Sequence, residues 1–324
     1  MTPPNPAVAR RLVALASRAP SVHNTQPWTW HVVDDCHFEL LADRGRQLTV
    51  NDPDGRNLTI SCGAALHHLL VAAAALGVEA GPTVAPDAGR PDLLARVTLA
   101  GGVPAADSAD LLHAIEHRCT DRRRFTAWPV PDERLTHLAD AASGWGAHVV
   151  PVTDVAMRFR TELLVSRAMS AQRHDEALLA EQRQWVTDGR LDGIPPTSAI
   201  PPPSARGPEP PNRYVDDVAA ADPRSLIEGS DGLLAVCTPG DGVADWMSAG
   251  MALSALWLRA TQAGLSIVPL SQVIEVVETR EGLRHVVLGD QARPQILVRV
   301  GWQEISRASL PRTPRRPVDE VLVH

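Results

Sequence analysis

Ser61-Cys62-Gly63-Ala64-Ala65-Leu66-His67-His68-Leu69-Leu70-Val71-Ala72-Ala73-Ala74-Ala75-Leu76-Gly77 recurs in degenerate form 187 residues later, as Ser248-Ala249-Gly250-Met251-Ala252-Leu253-Ser254-Ala255-Leu256-Trp257-Leu258-Arg259-Ala260-Thr261-Gln262-Ala263-Gly264. Seven of the 17 aligned positions are identical, where unrelated segments would share about one or two. Both copies read as helix and both are rich in small residues, so other helices can approach them closely. A period this long excludes a solenoid and predicts two copies of one domain, each built around such a helix.

A second pairing supports the duplication. Arg11-Leu12 with Leu15-Ala16 and Ala19 matches Arg134-Leu135 with Leu138-Ala139 and Ala142, and in each case a helix precedes an apolar strand, Trp28 to Val33 and then His148 to Val152. Further strands are predicted at His37 to Ala42, Arg96 to Ala100, Gly232 to Thr238, Ser266 to Leu270 and Gln295 to Val300. Helices are predicted at Ser108 to His117, Asp132 to Ala142, Ala156 to Val186 and Asp245 to Ala263. The class is α+β, with the first half over 1–105 and the second over 106–324.

The halves are not equivalent. Only the first contains the corner Ala19-Pro20-Ser21-Val22-His23-Asn24-Thr25-Gln26-Pro27-Trp28. Pro20 ends a helix, Pro27 fixes the start of a strand, and between them sit hydroxyl, imidazole and amide side chains with almost nothing apolar to bury. Such a corner can present hydrogen-bonding groups to a planar polar ligand; its simpler reading is a capped turn. Only the approach to the second half contains Arg118-Cys119-Thr120-Asp121-Arg122-Arg123-Arg124-Phe125, with four arginines in seven residues.

Composition narrows the chemistry. With 324 residues, 44% of them apolar, the chain can bury a large core. A net charge of -7 argues against nonspecific nucleic-acid binding. The chain has no lysine, which excludes a Walker-type phosphate loop and a Schiff-base lysine, and leaves arginine to hold any phosphate. Neither Gly-x-Ser-x-Gly nor Gly-x-Gly-x-x-Gly occurs, so serine hydrolase and Rossmann readings lack support. The longest apolar run, Gly63 to Val78, falls short of the ~20 residues of a membrane span. Cys36, Cys62, Cys119 and Cys237 show no paired spacing, and no signal peptide is evident, so a cytoplasmic protein without membrane contact is expected. His113 and His117 lie at i and i+4, a spacing that can bind metal, but further ligands are lacking and no metal site is expected.

Gly193 to Pro211 holds eight prolines, which excludes helix and central strand. A linker would fall between the repeats; this stretch falls inside the second, so a surface excursion or lid over about 190–214 is expected.

Pro-Ser-x-x-Asn-x-Gln-Pro-Trp resembles the flavin-contacting segment of the nitroreductase family, whose Ser, Asn and Gln line the ring of FMN. By that resemblance Ser21, Asn24 and Gln26 would hold the ring. The Arg118 string is similar to the family's Arg-x-Ser-x-Arg segment, which implies that Arg118 binds the phosphate or ribityl chain and that Thr120 takes the hydroxyl position. Arg122 would then lie near flavin N1, where a positive charge stabilises the reduced anion. Gly264 to Ser271 resembles the segment that passes beside the ring, which brings in Pro269, Leu270 and Ser271. Arg312-Thr313-Pro314-Arg315-Arg316-Pro317 resembles the C-terminal basic motif, with Arg315 and Arg316 on the phosphate.

In ordinary family members the two motifs meet across a dimer interface. Here each occurs once, in different halves, which resembles the Acg-type branch in which one chain mimics the dimer. The resemblance implies an FMN-dependent NAD(P)H oxidoreductase that passes hydride through flavin N5 to a nitroaromatic, quinone or similar small-molecule acceptor, with no catalytic side chain required. It also implies a monomer with one composite site. The alternative is a protein that sequesters FMN under its lid without turnover.

Overall fold

The computed structural model describes residues 6–186, 190–199, 214, 227, 229–303 and 312–323. Of the proline-rich stretch, residues 193–199 are among these, and the rest of it lies outside the described residues.

The chain begins with α1 (Pro6–Ala16), β1 (Trp28–Asp34), β2 (His37–Ala42), α2 (Arg56–Ala75), β3 (Val78–Val84), β4 (Leu93–Gly101) and α3 (Ser108–His117). It continues through α4 (Asp132–Ala142), β5 (His148–Pro151), α5 (Val155–Arg173), α6 (Glu176–Gln184), the single turn α7 (Pro196–Ala199) and β6 (Gly232–Thr238). Then come α8 (Val243–Gln262), β7 (Leu265–Leu270), the short α9 (Gln272–Glu275) and α10 (Val277–Gly282), β8 (Arg293–Trp302), α11 (Val318–Val321) and β9 (Leu322–Val323). One sheet runs β3-β4-β2-β1-β9 and the other β5-β6-β8-β7. The helix and strand content is the α+β class read from the sequence.

Helices α2 and α8 are the repeated segments, and they cross at their glycines. A methyl group on Gly250 would overlap the Ile60 carbonyl and stand 2.9 Å from both Ala64 N and Gly63 Cα. One on Gly63 would overlap the Met247 carbonyl and stand 3.1 Å from Gly250 Cα. Positions related by the 187-residue offset therefore face each other. His67 and Ser254 are a second such pair, with Nδ1 and Oγ 2.7 Å apart. Self-complementary contact of this kind is what a two-fold interface between identical copies makes.

Nearly every residue of α2 is buried, so its sequence is apolar all round rather than on one face. At 20 residues it is longer than the run read from the sequence, and it meets the length and apolarity needed to cross a membrane; 89% of its most apolar window is buried inside the protein. Strands β6 and β8 are likewise covered on both faces, by α4 and α8 on one side and by α5 on the other, which explains their unbroken apolar runs.

Three departures from the sequence reading have local causes. The helix expected over Ala156 to Val186 breaks at His174–Asp175, because Asp175 accepts from Leu178 N and starts a new helix. Strand β3 was unread because Gly81 and Pro82 weaken the pattern, and both are tolerated where β3 forms the sheet edge. The tail returns to the first sheet, where Leu322 and Val323 pair in parallel with Trp30 and His31, so a division into 1–105 and 106–324 omits this crossing.

Asp52 lies under the start of α2, accepting from Asn57 N at 3.0 Å and Leu58 N at 2.8 Å. Burial outweighs these bonds and pushes its carboxyl up to about 6. A carboxyl raised in the folded state holds its proton more tightly there than in the unfolded chain, so folding stability falls as pH climbs through that range. In urea unfolding, Asp52→Asn is expected to gain on wild type by about 2 kcal/mol between about pH 4 and pH 7. Parallel stability profiles for the two proteins would refute the assignment.

Candidate active site

The corner after α1 is held in an unusual backbone path. His23, Asn24 and Gln26 have φ of 46°, 55° and 50°, a region that costs non-glycine residues energy. Ser21 Oγ accepts from Gln26 N at 3.0 Å, and Ser61 Oγ on α2 accepts from Val22 N at 3.2 Å, so a hydroxyl at each end fixes the turn. The Arg118 string crosses beside it. Thr120 forms a parallel bridge with Ile267 of β7, which brings the arginine motif against the strand that ends in Pro269 and Leu270.

These segments enclose a cavity. Its walls include Ser21 and His23 of the corner, Asn57 and Ser61 of α2, Thr120 and Arg122, Trp257 of α8, Pro269 to Gln272, and Arg299 of β8. Tyr214 lies against it too, its Oη 3.1 Å from His23 Nδ1 and its ring under the Arg122 guanidinium, 5.0 Å from the centroid.

A second, more polar pocket is linked to the cavity by the contact of Arg118 in its wall with Trp257 in the cavity's. It is lined by Arg18, Glu116, Arg118, Cys119, Arg312, Thr313 and Arg315. The Arg118 guanidinium stacks on the Trp257 ring at 4.7 Å, and its Nη2 donates to the Arg18 carbonyl. Arg118 Nε and Nη1 and Arg315 Nε are buried without a partner. Burial pushes the Arg118 guanidinium down to about 10 and Arg315 to about 9, with neighbouring arginines adding to both shifts. Burial, then the charge of Arg118, also holds the His68 imidazole well below its usual range. Buried cations with unused donors, and with no carboxylate bonded to them, form a site built for an anion.

The structure gathers Ser21, Thr120, Arg122, Pro269, Leu270 and Ser271 around the cavity, and Arg118 and Arg315 around the anion pocket. Three expected residues go elsewhere. Asn24 does not face the cavity: its Nδ2 donates to the Gly193 and Pro314 carbonyls and its Oδ1 accepts from Arg315 Nη1 at 3.0 Å. Gln26 donates to the Leu191 carbonyl and accepts from Arg316 N. Both amides pin the tail and residues 191–193, so they position Arg315 rather than hold a ring. Arg316 leaves the pocket, its Nη1 reaching the Gln26 carbonyl and lying 3.6 Å from an Asp43 carboxylate oxygen. Arg315 and Arg316, though adjacent, turn to different partners.

Other residues here escaped the sequence reading. Arg18 carries no motif, and only its place just before Ala19-Pro20 hinted at it. Tyr214 is the only tyrosine in the chain, at the edge of the proline-rich stretch, which was a usable signal. Arg123 is bound to Asp121, which separates it from Arg118 and Arg122 in the same string. His113 and His117 stack on each other at 3.8 Å, and no group of three metal-binding side chains occurs among the described residues.

No protein-family model matches the sequence. The chain is 36% identical over 322 residues to "Putative NAD(P)H nitroreductase Rv3131" of Mycobacterium tuberculosis (strain ATCC 25618 / H37Rv), covering 98% of this chain and 92% of that protein. It is 33% identical over 322 residues to "Putative NAD(P)H nitroreductase acg" of the same strain, covering 97% and 95%. A solved nitroreductase with bound FMN from Bacteroides fragilis NCTC 9343 is similar over 63% of this chain and 94% of its own, at 15% identity and a TM-score of 0.40. Identity at this level over almost the whole of both sequences reflects common descent, and the chain belongs to the nitroreductase family.

Proposed function

We propose that the protein binds FMN across the two linked pockets and acts as an NAD(P)H-dependent oxidoreductase on a nitroaromatic, quinone or similar acceptor. The observation that carries this reading is the pair of buried arginines in one pocket, Arg118 with Nε and Nη1 unpartnered and Arg315 with Nε unpartnered, of which Arg118 stacks on Trp257 of the aromatic-walled cavity. A phosphate monoester joined to a planar ring satisfies both halves. Arg118 and Arg315, with Arg18 and Arg312 beside them, hold the dianion through forked donors. Trp257 and Ile60 give the ring an apolar wall, while Ser21, Thr120 and the backbone of 269–271 offer polar contacts to its edge. FMN, when bound, supplies two-electron transfer from NAD(P)H to the acceptor. Arg122 contributes a fixed positive charge to the cavity, and the low-polarity walls strengthen its effect. The same reading takes α2 and α8 as duplicated elements of a fused pair, so that one chain suffices for one site.

Sequestration of FMN without turnover is the second reading. It is favoured by Tyr214, whose ring stands against the cavity on His23 and Arg122. The visible spectrum of FMN-loaded protein, recorded anaerobically before and after NADPH and then NADH, separates the two. Bleaching of the oxidised band is expected. A band that survives both nucleotides yet disappears with dithionite establishes sequestration, and failure to retain FMN refutes both readings.

A further inference from the structure

We propose that Asn57 and Gln272 present a pair of hydrogen-bond acceptors to the cavity, placed for an N–H donor on the edge of a planar ligand, with Glu275 as the residue that fixes their polarity. The inference rests on the oxidoreductase reading above. Both side chains line the cavity, Asn57 from the first turn of α2 and Gln272 from the start of α9, and they are 6% and 8% exposed. An amide can show a ligand either its oxygen or its nitrogen. Which end it shows is decided by what holds the other.

Here the nitrogen ends are held. A carboxylate accepts hydrogen bonds and cannot donate them, so both amides bonded to Glu275 meet it through nitrogen. Asn57 Nδ2 donates to Glu275 Oε1 at 3.2 Å, and Gln172 Nε2, from α5, donates to Oε2 at 2.7 Å. Gln172 thereby turns its oxygen away from the carboxylate, and Gln272 Nε2 donates to that oxygen at 2.9 Å. Each link dictates the next. Asn57 Oδ1 and Gln272 Oε1 have no hydrogen-bond partner among the described residues, and both atoms remain accessible. An acceptor left unmet on a nearly buried side chain is costly, and a ligand N–H removes that cost.

Two groups in the proposed reaction carry such a donor on a planar edge: the imide N–H at flavin N3 and the carboxamide N–H of the nicotinamide. Their shared chemistry is a flat amide-like N–H, and either satisfies the pair. Glu275→Gln keeps the shape of the relay and replaces one acceptor by a donor. That donor cannot face an amide nitrogen, so one link must reverse. Either Asn57 turns its nitrogen to the cavity, or Gln172 and Gln272 turn over together. In both cases one cavity acceptor becomes a donor, although no atom lining the cavity was substituted.

The test is a ratio of affinities, which a merely structural role would not move. FMN and FMN methylated at N3 are titrated into the FMN-free protein by fluorescence quenching. NADP+ and its acetylpyridine analogue, which lacks the carboxamide N–H, are titrated into the FMN-loaded protein by the change in the flavin spectrum. Wild type should prefer the N–H-bearing member of one pair by at least about 10-fold, the discrimination expected of one unmet buried hydrogen bond, and the pair that shows it identifies the ligand. Glu275→Gln should lower that preference by about 5-fold. Gln272→Met, which removes the amide at similar length, should lower it likewise and guards against a Glu275 variant that fails to fold. No preference in either pair overturns the proposal, as does a preference that survives either variant intact, since it is then steric. Failure of the wild type to bind FMN at all would instead sink the oxidoreductase reading.

Discussion

Arg118→Ala is expected to weaken FMN binding by about 100-fold while raising the melting temperature of the FMN-free protein. The two effects share one cause. In the free protein Arg118 is buried with Nε and Nη1 unpartnered, surrounded by further arginines, and its lowered pKa records that cost. Stacking on Trp257 offsets only part of it. Truncation therefore relieves a buried charge when no anion is present, by about 1 kcal/mol. Once phosphate arrives, the same nitrogens become charge-assisted donors, and truncating one member of such a buried pair costs roughly 2–5 kcal/mol. Titration by flavin fluorescence quenching and thermal melts of both proteins without FMN read the two effects. A variant that melts lower and binds FMN as tightly as wild type would show that Arg118 supports the fold and not the ligand.

Gly250→Ala should be among the most destabilising single-methyl additions in the molecule. The added carbon would overlap the Ile60 carbonyl of α2, and its other neighbours, Ala64 N and Gly63 Cα, are backbone atoms that cannot rotate away. Overpacking against movable side chains costs about 1–3 kcal/mol; here two helices must separate, and the loss should exceed about 3 kcal/mol. Separation would also pull Trp257 on α8 from Ser61 and Asn57 on α2, opening the cavity they share. Gly264→Ala serves as the comparison, since a methyl group there meets nothing within 4 Å and only its positive φ is strained. Equal urea midpoints for the two variants would refute the close-crossing account.

The same glycines show what the sequence revealed and why. Small residues mark a place where backbones can touch, and the sequence showed two such helices with an offset of 187; that they touch each other came from the structure. The arginine string stood out because a chain without lysine must hold any phosphate with arginine, and Arg118 lines one pocket while Thr120 and Arg122 line the other. Asn24, Gln26 and Arg316 were misplaced for the opposite reason. A motif names residue types, but whether an amide meets a ligand or a returning tail depends on contacts some 290 residues away, which no local pattern carries. Arg18 was invisible for the same reason: its role comes from the tail and the Arg118 string folding onto one helix end. Tyr214 could have been found by asking why a chain with a single tyrosine keeps it beside a proline-rich stretch.

The return of β9 to β1 sets a timetable for manufacture. Trp30 leaves the ribosome long before its partner Leu322 is made, and at about 5–20 residues per second the wait is on the order of 15–60 s. Throughout that interval the edge of β1 is open to other strands, a known route to misassociation. Arg312 and Arg315 travel on the same late segment, so a growing chain has no complete anion pocket. Completion of that pocket thus waits on the same distant segment that closes the first sheet.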